Sequence, residues 1–215
     1  MRASILFLIC LALDAQENYF AGFASGVTTL SADGRPSIDA AGASAALYKP
    51  ENGLTARVLF GRRLGGFLSI EGNYTWNRNA LALSALRTVP ESAYEQARSS
   101  GQHAAGADLL AYFRNHESRL RPYLSVGTGW VRFTSKLEAT PVQRGSLPPP
   151  PVSFSTNHPF LRVAVGIDVR IGRGWAVRYG FAESIQRNPV SPRLTPPGGR
   201  NLASFQNLLG FIRRF

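Results

Sequence analysis

Phe160–Ala182 reads FLRVAVGIDVRIGRGWAVRYGFA, and its pattern decides the fold. Leu161, Val163, Val165, Ile167, Val169 and Ile171 fall on one face, and Arg162, Ala164, Gly166, Asp168 and Arg170 on the other. Strict period two is the mark of an extended strand whose side chains alternate between two environments. After Gly172-Arg173-Gly174, a tight hairpin turn, Trp175, Val177, Tyr179 and Phe181 alternate in the same way with Ala176, Arg178, Gly180 and Ala182. One face is uniformly aliphatic and aromatic, while the other mixes small residues with ionised ones. A soluble barrel would carry its charges outside. Here the small and charged residues suit the cramped interior of a narrow barrel, and the apolar face suits lipid.

The alternation recurs upstream. Ala56, Val58 and Phe60 oppose Thr55, Arg57, Leu59 and Gly61; Leu68, Ile70, Tyr74 and Trp76 oppose Ser69, Glu71, Asn73 and Thr75. Ala105, Ala107, Leu109, Ala111 and Phe113 oppose Ala104, Gly106, Asp108, Leu110 and Tyr112, and Leu124, Val126, Thr128 and Trp130 oppose Tyr123, Ser125, Gly127 and Gly129. Tyr19 to Leu30 and Asn201 to Phe215 complete eight expected strands. Short turns near Arg63 to Gly66, Asn115 to Arg121 and Gly172 to Gly174 alternate with long polar loops over Ser31–Gly53, Leu81–Gln102, Lys136–Pro159 and Pro189–Arg200. An even strand number with turns at one end and long loops at the other is the pattern of an all-β, antiparallel, up-and-down transmembrane barrel. Tyr19, Trp76, Trp130 and Trp175 fall at strand ends, where aromatic girdles meet the membrane interface.

Composition agrees. The chain has 215 residues, 44% hydrophobic and 17% charged, with one Cys, and its 24 Lys+Arg against 13 Asp+Glu give a net charge of +11. A lone cysteine excludes a disulfide framework, a thiolate zinc site and a redox dithiol. No run after the N-terminus approaches the ~18 apolar residues of a spanning helix. Met1-Arg2, the apolar run Ala3–Leu13 and Asp14-Ala15 read as a secretory signal over residues 1–15, leaving a barrel over 16–215. Cys10 lies inside that run, so the exported chain lacks cysteine; Phe7-Leu8-Ile9 before it are not the small residues of a lipidation site.

Hairpin arithmetic registers the interior charges. A turn centred on Arg173 places Asp168 opposite Arg178, and one centred on Leu64 places Arg57 opposite Glu71. Asp108 and Arg162 are expected to join these in a lumenal ion-pair network, because removing one partner of a buried pair costs about 3–5 kcal/mol. A lumen so filled is a plug, not a general pore. Lys49 and Lys136 are the lysines of the chain, so arginine carries nearly all its positive charge. Arg62, Arg63, Arg114, Arg119, Arg121, Arg173, Arg213 and Arg214 form an expected basic rim at the turn end, suited to phospholipid headgroups, each worth about 1 kcal/mol near an anionic surface. Arg35, Lys49, Arg78, Arg87, Arg98, Arg144, Arg187, Arg193 and Arg200 in the loops suit lipopolysaccharide phosphates. Nucleic acid is not an expected partner, because no aromatic-basic binding surface accompanies the charge.

The signal, Phe20-Ala21-Gly22-Phe23-Ala24-Ser25-Gly26, Pro122-Tyr123-Leu124-Ser125-Val126-Gly127 and the terminal Phe215 together resemble the bacterial outer-membrane-protein β-barrel domain family, the small eight-stranded barrels, over nearly the whole exported chain. Asn73-Tyr74-Thr75-Trp76-Asn77-Arg78-Asn79 also resembles a segment of related barrels, with no activity attached to it. The resemblance implies a monomer in the bacterial outer membrane with both termini in the periplasm, and a C-terminal assembly signal in Gly210, Phe211 and Phe215 read by the barrel-insertion machinery. Arg213 departs from that signal, which usually has an aromatic or apolar residue there.

Catalytic chemistry is poorly represented. His103, His116 and His158 lack metal-ligand spacing, and neither a metal nor another cofactor is expected. Gly42-Ala43-Ser44-Ala45-Ala46 only grazes a nucleophile elbow; His103 is the first candidate should a lipid hydrolase be present. Pro148–Pro151 reads as a stiff polyproline spacer. The sequence points to a non-catalytic outer-membrane barrel with a structural or surface-interaction role. Two rivals are a lipid-modifying barrel enzyme and a soluble secreted lipocalin-like binding barrel.

Overall fold

The protein is seen here as a computed structural model that describes residues 18–39 and 42–215. The expected signal segment, residues 1–15 with Cys10, lies outside them. Among the described residues eleven strands form one antiparallel sheet: β1 (Tyr19–Leu30), β2 (Asp33–Asp39), β3 (Gly42–Pro50), β4 (Gly53–Arg63), β5 (Leu68–Thr88), β6 (Glu91–Tyr112), β7 (Leu120–Leu137), β8 (Val142–Arg144), β9 (Ser153–Gly172), β10 (Trp175–Arg187) and β11 (Asn201–Arg214). In the order β1, β4, β5, β6, β7, β9, β10, β11, each pairs with the next, and β11 returns to β1. The ring therefore has no free edge. Every ring strand finds hydrogen-bond partners on both sides, which is the condition for taking strands through hydrocarbon.

Burial fixes which face is which. Val126, Val163, Leu209 and Phe211 expose 55–58% of their surface on the outside of the ring, whereas Arg162 and Asp168 on the inside expose 2%. Glycine on the inner face makes this crowding possible at two close approaches. A Cβ on Gly127 would lie 1.6 Å from the Asp108 carboxylate, and one on Gly166 would lie 2.4 Å from the Tyr123 ring.

The long loops of the sequence reading are corrected. β5, β6 and β9 run for 21, 22 and 20 residues, about twice the ~9–11 that a bilayer crossing needs. Much of Ser31–Gly53, Leu81–Gln102 and Lys136–Pro159 is therefore strand, continued beyond the membrane and joined by the β2–β3 hairpin, paired to β5, and by β8, paired to β6. Along β5 the inner face passes from Ser69, Glu71, Asn73, Thr75, Asn77 and Asn79 to Leu81, Leu83 and Ala85. Once the strand leaves lipid for water, the apolar residues turn inward as in any soluble protein. Leu30, Tyr48, Leu81, Leu83, Tyr94, Phe133, Leu147, Val190, Leu194 and Leu202 make a single core there, closing the loop end of the ring.

Candidate functional site

Inside the ring the charges form two clusters stacked along the axis. Toward the turn end, Arg178 donates from Nε to Asp168 Oδ1 at 2.7 Å and from Nη2 to Asp168 Oδ2 at 3.0 Å. It also donates from Nη1 to Glu71 Oε2 at 2.5 Å and from Nη2 to the Tyr112 hydroxyl at 2.9 Å. Tyr112 donates in turn to Asp168 Oδ2 at 3.1 Å. The Arg178 guanidinium lies 4.9 Å from the Tyr123 ring centroid, a cation–π contact on its flank. Nearer the loop end, Arg162 meets Asp108 Oδ2 and Asn73 Oδ1 at 3.0 and 2.8 Å and donates from Nε to Ser184 Oγ. The Asn73 amide holds the same Asp108 oxygen at 2.7 Å.

The turn centre at Arg173 agrees with the structure: Asp168 and Arg178 are register partners. The centre at Leu64 does not. Arg57 stands opposite Thr75, and Glu71 opposite Gly61, so the turn is centred on Gly66. Arg57 donates to Thr75 Oγ1 at 3.1 Å and to Gln206 Oε1 at 2.7 Å, while Glu71 is held by Arg178. Both registers keep the same residues inside, because a slip by an even number of residues preserves the faces; alternation alone has no means of choosing between them. The space left between the clusters is a cavity of about 30 Å³ lined by Arg57, Glu71, Asp108, Tyr123 and Arg178 among others, enough for one or two waters.

Several basic residues lie elsewhere than expected: Arg214 turns from the rim into the mouth of the lumen, its Nη2 3.9 Å from Asp168 Oδ2. Arg121 is not on the rim but inside, 2% exposed, with its guanidinium 3.7 Å above the Tyr112 ring. Arg98 is not a free loop cation but fully buried in the loop-end core. Its Nη2 donates to the carbonyls of Pro151 and Val152 at 2.8 and 3.1 Å, its Nη1 to Gln96 Oε1 at 2.8 Å and its Nε to Ser135 Oγ at 3.0 Å. The polyproline tract is thus the acceptor surface of a buried guanidinium, pinned again by Gln96 Nε2 on Pro150 O. Asp33 ties β2 to the last loop by accepting from Ser191 Oγ at 2.7 Å and from the Gly199 N–H. Burial first, and the Asp33 charge second, push the Tyr48 phenol above its usual range.

The expected girdle residues all lie on the outer surface. Trp130 is 64% and Trp175 42% exposed; Trp76 and Tyr19 are half-buried, Tyr19 stacked on Phe60 at 5.8 Å under the Arg62 guanidinium. Arg213, the departure in the C-terminal segment, lies 5.1 Å over the Trp175 ring and 5.9 Å from that of Phe215, so its stem covers apolar surface while its charge reaches the interface. Phe211 points outward, Gly210 packs inward against Ala24, and the Phe215 N–H closes on Tyr19 O at 2.9 Å. His103 faces outward and shares a hydrogen bond with the Tyr74 hydroxyl at 2.5 Å. Among the described residues no group of His, Cys, Asp and Glu is arranged to hold a metal ion.

A closed antiparallel ring with an apolar exterior and an ionic interior defines a transmembrane β-barrel. The chain belongs to the outer membrane protein beta-barrel domain family, whose model matches residues 3–195. Its fold is similar to that of neisserial surface protein A, with a TM-score of 0.55 at 16% identity over 93% of this chain and 98% of that one. It is also similar to the outer membrane protein OprG from Pseudomonas aeruginosa, with a TM-score of 0.56 at 11% identity over 92% and 96%. At such identities the likeness is one of fold. No curated protein sequence matches the chain.

Proposed function

We propose that this outer-membrane barrel is an occluded, non-catalytic scaffold that presents an ordered cap at the cell surface. The observation that carries the reading is the stacking of two plugs along one axis: the Arg178 and Arg162 clusters fill the ring, and the apolar core around Leu83 and Phe133 closes its loop end. With about 30 Å³ left between the charged groups, a hydrated solute has no continuous path, which argues against a general diffusion pore. The cap is the part with surface to offer. Its outer face carries exposed Leu47, Leu86 and Val142, in a groove that Arg35 and Arg144 also line.

In this reading the turn end and both termini face the periplasm, the barrel is monomeric, and Gly210, Phe211 and Phe215 are recognised by the insertion machinery. Exposed Arg62, Arg114, Arg119, Arg173 and Arg213 favour anionic phospholipid headgroups on that side. Arg35, Arg78 and Arg144, exposed at the loop end, suit lipopolysaccharide phosphates. The test is twofold. Purified barrel in a planar bilayer gives no stable open-channel conductance, and a peptide tag inserted between Gly198 and Gly199 is labelled on intact cells. A steady pore-sized conductance, or a tag reached only after the outer membrane is opened, overturns the proposal. Acyl release from phospholipid or lipid A by the purified barrel would favour the lipid-modifying enzyme instead.

A further inference from the structure

Among the described residues, Arg121, Arg178 and Arg214 line one small cavity at the turn end of the lumen together with Ser69, Tyr112 and one carboxylate, Asp168. Asp168 is already spent: Arg178 holds both its oxygens, Tyr112 donates to one, and Arg214 approaches only to 3.9 Å. Arg121 is the register partner of Asp168, yet its Nε and Nη2 have no hydrogen-bond partner among the described residues, nor does the hydroxyl of Ser69. Both side chains are at least 98% buried. The Tyr112 ring beneath Arg121 offers its face, which attracts the charge but accepts none of the in-plane N–H bonds.

A buried guanidinium with unmade hydrogen bonds and like charges around it is costly unless an anion sits among them. We propose that this cavity is an anion-binding site, in which Arg121 and Ser69 donate to one small anion, a halide or a single oxygen of a phosphate, that neutralises the mouth of the barrel. Its size suits that occupant: about 10 Å³, room for one water-sized particle. Charge-assisted donation from Arg121 supplies directional bonds, and the field of Arg214 on the same cavity adds to them. The inference does not depend on the surface-display role above, because it concerns the opposite end of the barrel.

The test is the thermal midpoint of the purified barrel in a non-ionic detergent at pH 7. Chloride, inorganic phosphate or gluconate is titrated at constant ionic strength, gluconate being too large to enter. Binding to the folded state raises the midpoint with the logarithm of anion concentration above the dissociation constant. The expected result is such a rise in chloride or phosphate, none in gluconate, loss of the rise in Arg121→Met, and its retention in Arg132→Met, which changes an exposed arginine far from the cavity. A rise on adding phosphatidylglycerol in gluconate, again lost in Arg121→Met, assigns the site to a lipid phosphate instead of a free ion. Identical midpoints in all three salts without lipid effect, the result for a cavity filled by water, overturn the proposal. So does a chloride rise that survives in Arg121→Met. Should that variant fail to fold, crystals of the unaltered barrel soaked in bromide decide: an anomalous peak beside Arg121 and Ser69 supports the site, and its absence refutes it.

Discussion

Replacing Arg178 by methionine keeps most of the side-chain volume and removes the charge that two buried carboxylates share. The structure gives the size of the loss. Three bonds to Asp168 and Glu71 between 2.5 and 3.0 Å disappear, with a fourth to Tyr112; both acids stay 2–3% exposed, and Asp168 keeps only the longer approach of Arg214 at 3.9 Å. Each pair is worth about 4 kcal/mol at an effective dielectric of 20, most of it offset by the desolvation already incurred. Orphaning a buried charge typically costs about 3–5 kcal/mol. At the ~2–4 °C per kcal/mol typical of chains of 150–250 residues, Arg178→Met should melt about 6–20 °C lower. The assay is the heat-induced shift between compact and unfolded bands on a detergent gel, backed by circular dichroism. The decisive comparison adds Glu71→Gln and Asp168→Asn to the same chain. With the charges removed together, the triple variant should regain much of the loss. A single variant as stable as the parent, or a triple variant no better than the single one, would refute the claim that this network acts through charge compensation.

Other outcomes follow from the same geometry. Leu83→Ala empties a fully buried position in the loop-end core and should cost about 2–5 kcal/mol, read as faster proteolysis of the loops while the ring stays folded on the gel. Gly166→Ala drives a methyl into the Tyr123 ring and should destabilise by about 1–3 kcal/mol; combined with Tyr123→Leu the two changes should cost less than their sum, and strict additivity would speak against the contact. His158, just beyond Trp130 at the loop end, is held below its ordinary 6.5 by burial and by Arg187 and Arg193. The folded chain therefore takes up that proton less readily than the unfolded one, so stability is lost as pH falls through 6.5 and below. His158→Gln should flatten the pH slope of the melting midpoint in that window.

The contrast between what was legible in the sequence and what was not is clearest along β5. Up to Asn79 the alternation of Leu68, Ile70, Tyr74 and Trp76 with Ser69, Glu71, Asn73 and Thr75 states the membrane segment and its inverted faces, because lipid on one side and a narrow lumen on the other impose two chemistries on two parities. Beyond Asn79 the parity continues but its meaning reverses, since water replaces lipid outside. A local reading takes the change of sign for the end of the strand. Glu71 shows the second limit. Its inward face follows from its neighbours, but its partner Arg178 lies 107 residues away and is chosen by closure of the ring, as Arg162 is for Asp108 at 54 residues.

What the sequence by itself determined, then, was the two parities of the membrane-crossing segments, apolar outward and small or ionic inward, because lipid and a narrow lumen impose different chemistries on alternate residues. The tertiary structure alone decided the partners that are not hairpin neighbours, that Arg121 lies inside the lumen instead of on the rim, and that the polyproline tract lends its carbonyls to Arg98. Those outcomes depend on register and curvature, and register is invisible to a pattern that any even slip reproduces.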